Sequence, residues 1–325
     1  MKAAYRTSYG NQEVLQIKEL PVPGPSENDV IIKVTATTVN RTDCANLTGK
    51  PLIMQLIMGL VTPKYPVPGT DFTGEIVEVG EKVKKFKPGD RVWGFDDSGK
   101  AASQAEYMIF NENRGIELMP DSINPIEGVA CIEGVHYAYN FINKVSLKPS
   151  QKAMVNGGTG AIGSALIQML KYHGLSVTAT CRGEHADIVK ELGADRIIDY
   201  TSADFTKENE IYDYVFDAVG KSSYGKCKRL LSARGIYISS ELGPNYENPF
   251  LAMIAPVSSG RKVKFPIPLN INESLKFSAE LISAGAFKPL IDRMYSLEEV
   301  KEAYAYVLSG QKTGNVILKV QNPET

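Results

Sequence analysis

The run Met154-Val155-Asn156-Gly157-Gly158-Thr159-Gly160-Ala161-Ile162-Gly163 decides how this chain is read, because a short apolar strand empties there into four glycines that open a helix. Gly158 and Gly160 lack the side chains that would stop a backbone from passing close beneath a pyrophosphate, and Gly163 lets the helix lie tightly on its own sheet. Over residues 161–173 the side chains of Ile162, Ala165, Leu166, Met169 and Leu170 share one helical face. The unpaired N–H groups of the first turn then point back at the glycines, where an anion fits. A second strand over residues 175–181 follows at strand–helix–strand spacing. The competing reading is a Gly-rich turn that binds nothing.

A chain of 325 residues accommodates two domains at roughly 150 residues each. Its 43% hydrophobic content supports sizeable cores. Lys and Arg number 36 against 37 Asp and Glu, so no net field draws the chain to nucleic acid or to an acidic membrane surface. Cys44, Cys131, Cys181 and Cys227 stand singly, without a C-x-x-C pair, as expected in a reducing cytosol. The N-terminus carries no secretory h-region. The longest uncharged apolar run, residues 52–61, is about half of the ~20 residues a membrane helix needs. A cytoplasmic protein without membrane insertion is the expectation.

Residues 1 to about 120 are rich in Gly, Pro and β-branched residues, with short strands at 30–36 and 74–79, and read as an irregular all-β domain. A mainly apolar segment over 124–144 predicts a helix leading into a second domain. Strands at 152–156, 176–181, 196–199, 214–218 and 235–239 then alternate with helical segments, which predicts a parallel sheet covered on both faces. Residues 262–269 contain Pro266 and Pro268 and suit an edge strand, where a partner chain can pair. In the tail, helices over 272–284 and 296–308 precede a strand at 315–320, and this segment is expected to return to the first domain. The expected division is 1–122, 123–268 and 269–325.

These residues carry a family likeness. The chain resembles the medium-chain dehydrogenase/reductase superfamily, specifically its zinc-free quinone oxidoreductase branch, through Val39-Asn40-Arg41-Thr42-Asp43, Pro68-Gly69-Thr70-Asp71-Phe72-Thr73-Gly74 and Pro88-Gly89-Asp90-Arg91-Val92. The likeness continues through the glycine turn, Leu192-Gly193-Ala194-Asp195, Phe216-Asp217-Ala218-Val219-Gly220 and Gly314-Asn315-Val316-Ile317-Leu318. It implies an α/β protein with a GroES-like β-rich catalytic domain, a Rossmann domain with a doubly wound parallel sheet, and a cleft between them.

Zinc-dependent relatives would have Cys where Asn40 stands and His where Thr70 stands. An amide and a hydroxyl are poor substitutes, because Zn²⁺ favours thiolate, imidazole and carboxylate. The lobe of four closely spaced cysteines is also missing between Asp90 and Asn113, and Cys131 with His136 makes only two isolated ligands. No metal is expected, so hydrogen bonds must polarise the substrate.

NAD-binding proteins usually place an acid at the end of the second strand. Here Cys181-Arg182 stands, Arg182 lying nineteen residues past Gly163. A guanidinium suits a 2′-phosphate, and the expected cofactor is NADP(H). Glu184, two residues on, would weaken or reverse that preference if it faced the ribose. Tyr200 resembles the family tyrosine near the adenine and its phosphate; the plainer alternative is a half-exposed strand-end tyrosine. The resemblance adds Gly157, Gly158, Thr159, Gly160, Ala161, Ile162 and Gly163 as the phosphate cradle. It adds Ala218, Val219, Ser240 and Leu242 as backbone contacts at carboxyl strand ends, and Asn315 as a further cofactor contact.

A nicotinamide without a metal can pass hydride to a quinone or an α,β-unsaturated carbonyl, whose conjugation spreads the developing charge. The resemblance places Asn40 beside the nicotinamide ribose, although Asn after a strand is commonly a turn residue. Asp43 either orients Asn40 or caps a helix. His136 either donates to cofactor or substrate or is structural. Cys44 reads as packed. Residues 52–61 either line an apolar pocket or form an ordinary helix. The expectation is an NADPH-dependent reductase of a small-molecule electron acceptor, homodimeric through the edge near 262–269. The alternatives are a non-catalytic NADPH-binding regulator and a zinc alcohol dehydrogenase.

Overall fold

The computed structural model describes residues 1–98, 100–257 and 260–321. They form two compact units: Met1–Glu133 with Asn270–Ser283 and the segment from Pro289 onward, and Gly134–Leu269 with Ala284–Lys288.

In the first unit the Asp29–Val39 strand is central. Val30, Ile32 and Val34 alternate inward to meet Phe72, Ile76, Val92 and Phe110, all buried. Around it lies a sheet in the order Ile291–Ser296, Asn315–Lys319, Asp29–Val39, Asp71–Val79, Arg91–Phe95, Ile116–Leu118, with Tyr107–Asn111 also paired to Asp29–Val39. The pairings are antiparallel except that of Ile291–Ser296 with Asn315–Lys319. Asn315–Lys319 pairs Val316 with Val39, so the tail completes the unit that the N-terminus begins. The Val300–Leu308 helix buries Val300, Ala303, Tyr304 and Val307 against Leu47, Val39 and Leu318. Full burial of such a side chain contributes roughly 1.5–3 kcal/mol.

The second unit is a six-stranded parallel sheet in the order Arg196–Asp199, Ser176–Cys181, Lys152–Asn156, Tyr212–Asp217, Leu231–Ser239, Lys262–Lys264. This 3-2-1-4-5-6 order reverses direction beside Lys152–Asn156, at the strand that runs into the glycine turn. The Ala161–Tyr172 helix follows, with Ala165, Leu166, Met169 and Leu170 fully buried. The edge strand is shorter than expected and ends at Lys264, two residues before Pro266, which has no N–H to offer a ladder.

The predicted helix over 124–144 is instead two, Pro125–Val129 and Glu133–Ile142. The first belongs with the first unit, since Thr73 Oγ1 donates to Pro125 O at 3.0 Å, and the division falls at Glu133 rather than near 122. The apolar run over 52–61 holds the Ile53–Met58 helix, with Met58 buried and Leu56, Leu60 and Val61 facing solvent. Among the described residues no helix is long and apolar enough to cross a membrane.

Candidate functional site

The glycine turn is held by a chain of hydrogen bonds that crosses three strands. Gly157 is at φ +91°, a conformation that side chains resist. Its N–H donates to Thr180 Oγ1 at 2.9 Å and that of Gly158 to Thr180 O at 2.8 Å, so the neighbouring strand fixes the turn. Thr180 Oγ1 donates onward to Asn156 Oδ1 at 2.8 Å, and Asn156 Nδ2 donates to Asp217 Oδ1 at 2.9 Å.

Asp217 ends the next strand and is fully buried. Its Oδ1 also accepts from the N–H groups of Val219 and Gly220, at 3.3 and 2.9 Å. Its Oδ2 accepts from Ser222 N at 3.1 Å and Tyr237 OH at 2.9 Å. Five donors satisfy a buried carboxylate that would otherwise be costly. One side chain therefore sets both the glycine turn and the 218–222 loop.

The cradle has room where an anion would need it. Gly160 is the N-cap of the Ala161–Tyr172 helix and offers no side-chain cap, which leaves the first-turn N–H groups of Ala161, Ile162 and Gly163 directed at the turn. A Cβ built on Gly160 meets nothing closer than 3.6 Å, whereas one on Gly163 would lie 2.0 Å from Gly157 O. Gly160 is thus open toward a ligand, and Gly163 is required by packing. Thr159 and Ile162 are partly exposed and Ala161 is buried. These features fit a dinucleotide pyrophosphate.

At the carboxyl ends of the second and third strands, Arg182 Nε donates to Tyr200 OH at 3.1 Å, so the structure brings these two expected residues together. Glu184 stands beside them, 3.7 Å from Arg182 Nη1 and 3.6 Å from His185 Nε2. Cys181 is buried beneath this corner. Val219 lies over Gly157, where a built Cβ would be 2.5 Å from Val219 Cγ1, and Ala218 N donates to Asn156 O at 3.1 Å. Leu242 and Gly220 line a cavity of about 410 Å³, and Ser240, beside it in sequence, is half-buried. His136 is buried and paired through its carbonyl O with Asn140 Nδ2 at 2.9 Å; burial pushes its pKa down to about 4, which keeps the imidazole neutral.

In the first unit, Asn40 follows the central strand and caps the Arg41–Thr48 helix. Its Oδ1 accepts from Asp43 N at 2.8 Å while Asp43 Oδ2 accepts from Asn40 N at 3.1 Å, a reciprocal capping box. Asn40 Nδ2 donates to Thr70 Oγ1 at 2.8 Å and to Thr38 Oγ1 at 3.2 Å. Thr38 donates through N and Oγ1 to Asp71, at 2.7 and 2.6 Å. Burial raises Asp43 well above the usual carboxylate range, with Asp71 and Glu133 adding to the shift. Burial likewise pushes Asp71 to about 6 and Glu133 to about 7. Burial pushes the Cys44 thiol to about 12, so it offers no reactive thiolate at neutral pH. Asn315 spends its amide on Ala130 O and Leu290 O, at 3.3 and 3.0 Å.

Zinc does not fit this donor set. Asn40 and Thr70, the positions at which zinc relatives were expected to carry Cys and His, bond to each other. Among the described residues no group of three or more His, Cys, Asp or Glu is arranged to hold a metal ion. Sequence reading passed over Asp217, Thr180, Asn156 and Thr38 as site residues. The available signal for Asp217 was an acid ending the otherwise apolar stretch Tyr214-Val215-Phe216.

Comparison with known proteins gives the same architecture. An alcohol dehydrogenase GroES-like domain matches residues 26–121, and a model described as a zinc-binding dehydrogenase matches residues 192–318. A 2-methylene-furan-3-one reductase of Solanum lycopersicum is 30% identical over 98% of this chain and 79% of its own. The chloroplastic quinone-oxidoreductase QR1 of Triphysaria versicolor is 29% identical over 98% of both chains. The solved structure of the Escherichia coli quinone oxidoreductase complexed with NADPH superposes with a TM-score of 0.82 at 20% identity, covering 98% of this chain and all (100%) of that one.

Proposed function

The chain belongs to the medium-chain dehydrogenase/reductase superfamily, within its quinone oxidoreductases, and on that footing we propose that it is a zinc-free, NADPH-dependent reductase of quinones or α,β-unsaturated carbonyls. The observation that supports the reading most is the Arg182–Tyr200 pair at the strand ends next to the glycine turn, a guanidinium and a phenol of the kind that would suit a ribose 2′-phosphate. Two further supports are the NADPH with which the E. coli neighbour is complexed and the reductase and quinone-oxidoreductase names of the two relatives.

When bound, the reduced nicotinamide supplies hydride. The chain's own part is to hold and orient. Gly158, Gly160 and the first-turn N–H groups of Ala161, Ile162 and Gly163 take the pyrophosphate, and Arg182 with Tyr200 takes the 2′-phosphate. Ala218, Val219, Ser240 and Leu242 present backbone toward the nicotinamide half. Asn40 has both Nδ2 hydrogens committed to Thr38 and Thr70, so we assign Asn40 and Asp43 as positioning residues that fix the start of their helix. Buried neutral His136 serves as a fixed dipole rather than as an acid at neutral pH. Acceptors that delocalise a developing negative charge over a conjugated carbonyl ask least of the protein, and these are the substrates we assign.

The test mixes the protein with NADPH or NADH and a panel of quinones and conjugated enals, following the absorbance of the reduced nicotinamide with and without a chelator. The expected outcome is acceptor-dependent oxidation that prefers NADPH and ignores the chelator. Tight NADPH binding with no turnover across the panel contradicts the assignment and leaves a binding protein.

A further inference from the structure

Arg182, Glu184 and His185 belong to one tight turn that follows the Ser176–Cys181 strand. The His185 N–H donates to Arg182 O at 2.9 Å and closes the turn over Gly183–His185. Gly183 lets that turn press on the neighbouring strand, since a Cβ built there would lie 2.7 Å from Asp199 Oδ2. The backbone is thereby fixed, and three ionisable side chains leave it within four positions.

Their geometry makes Glu184 a shared partner. Its Oε1 lies 3.7 Å from Arg182 Nη1 and 3.6 Å from His185 Nε2, so one carboxylate oxygen stands between a permanent cation and a switchable one. Histidine is the side chain whose charge ordinarily changes between pH 5 and 8. While the imidazole is neutral, the guanidinium meets Glu184 without a rival charge. Once the imidazole is protonated, two cations compete for that oxygen, and Arg182 has more of its donors left for a ligand. Arg182 keeps its other partner, Tyr200 OH, through Nε. The remaining charged groups of this corner are Asp199, held below the usual carboxylate range by the N–H and hydroxyl of Thr201, and Asp187 and Lys190 on the Ala186–Glu191 helix. Carboxylates and ammonium groups ordinarily titrate on either side of the histidine range. The Cys181 thiol beneath them is pushed up by burial and stays neutral.

We propose that His185 is a specificity-determining residue that makes the preference for NADPH over NADH depend on pH: its imidazolium draws Glu184 off Arg182 and so frees the guanidinium for a ribose 2′-phosphate. The inference rests on the cofactor reading above, in which Arg182 takes that phosphate. Binding of NADPH is then linked to proton uptake at His185, and the preference rises as pH falls from about 8.5 to about 6.5. The 2′-phosphate itself acts with the opposite sign, because a phosphate monoester gains its second proton near pH ~6 and loses charge. The window stays above that value. Arg182 and Glu184 are 54 and 64% exposed, so water and salt screen the corner and the expected effect is a few-fold.

The experiment is fluorescence titration of the full chain with NADPH and with NADH from about pH 6.5 to 8.5 at low ionic strength. The ratio of the two dissociation constants should move about threefold or more toward NADPH at the acidic end. His185→Asn should flatten or reverse that profile. His185→Lys, a permanent cation over this range, should hold the ratio near its acidic value throughout. In a Glu184→Gln background the effect of His185→Asn at the acidic end should shrink by about half or more, because the carboxylate through which His185 acts is gone. A flat wild-type ratio, or a profile that His185→Asn leaves unchanged, overturns the proposal. So does an equal effect of His185→Asn in both backgrounds, which would have the imidazolium meet the phosphate directly. Arg182→Ala separates this role from the cofactor reading. NADPH binding that ignores Arg182→Ala defeats that reading, whereas weakened NADPH binding in Arg182→Ala beside a flat wild-type profile defeats only the role of His185.

Discussion

The Asn156 side-chain amide donates to the Asp217 carboxylate at 2.9 Å, tying the residue that precedes the glycine turn to the last residue of the neighbouring strand. Because Asp217 also holds the backbone of Val219, Gly220 and Ser222, this contact couples two stretches expected to face opposite halves of a dinucleotide. Asp217→Ala should destabilise the protein by about 3 kcal/mol or more, since it strands several buried donors. Asp217→Asn keeps the volume but turns one acceptor into a donor facing N–H groups. It should raise the cofactor dissociation constant about tenfold while changing kcat much less, as read by fluorescence titration and steady-state kinetics.

Gly160 and Gly163 separate ligand contact from packing. Gly160→Ala should leave the melting temperature within a few degrees of wild type, since its Cβ enters open space, yet weaken cofactor binding about tenfold or more. Gly163→Ala drives a Cβ to 2.0 Å from Gly157 O and should cost about 2 kcal/mol or more in stability as well as binding. Thermal melts with and without cofactor distinguish the two.

Arg182 and Glu184 share one exposed corner with opposite charge. Arg182→Ala should weaken NADPH about 10- to 100-fold and leave NADH nearly unchanged, the loss expected for charged hydrogen bonds to a phosphate. Glu184→Gln removes a carboxylate that competes for the guanidinium and should shift the ratio of kcat/KM values further toward NADPH. An Arg182→Ala variant that binds NADPH as well as wild type would reject the cofactor assignment.

Stability should fall as pH rises through 6 and 7 and level off above about pH 8. Burial holds Asp71 at about 6 and Glu133 at about 7, above the values near 4 of an unfolded chain. The native state therefore retains protons that the unfolded state has released, and the stability these groups contribute is lost as pH climbs through 6 and 7. His136 has the opposite sign: its depressed pKa of about 4 contributes stability above about 6.5 that is lost as pH falls through 4. Between about pH 6.5 and 8 the carboxyls act without it. Denaturant midpoints should drop across that window in wild type and drop less in Glu133→Gln.

The second unit was legible almost strand by strand because parallel strands buried on both faces are continuous apolar runs punctuated by glycine. The strands at Lys152–Asn156, Ser176–Cys181 and Arg196–Asp199 fall where the pattern put them. Glu133 was not legible as the point of division, since a Pro-opened helix and the helix after it form one apolar stretch in sequence. Nor was the buried network around Asp217 and Thr180, whose members lie 37 positions apart in sequence and meet only because strand order places Lys152–Asn156 between their strands. Asn40 was legible as a polar residue at a telling position. Its commitment to Thr70 and Thr38 depends on how two strands of an antiparallel sheet end side by side.

The most direct test of the proposed reductase is isotopic. NADPH carrying deuterium at C4 of the nicotinamide is supplied, in both C4 epimers, with an α,β-unsaturated aldehyde or ketone, and the product is analysed by NMR. Hydride transfer of the kind proposed predicts deuterium on the β-carbon of the saturated product from one epimer alone, the proton at the α-carbon coming from water. Product without deuterium at the β-carbon, or NADPH recovered unoxidised from a saturated complex, would contradict it.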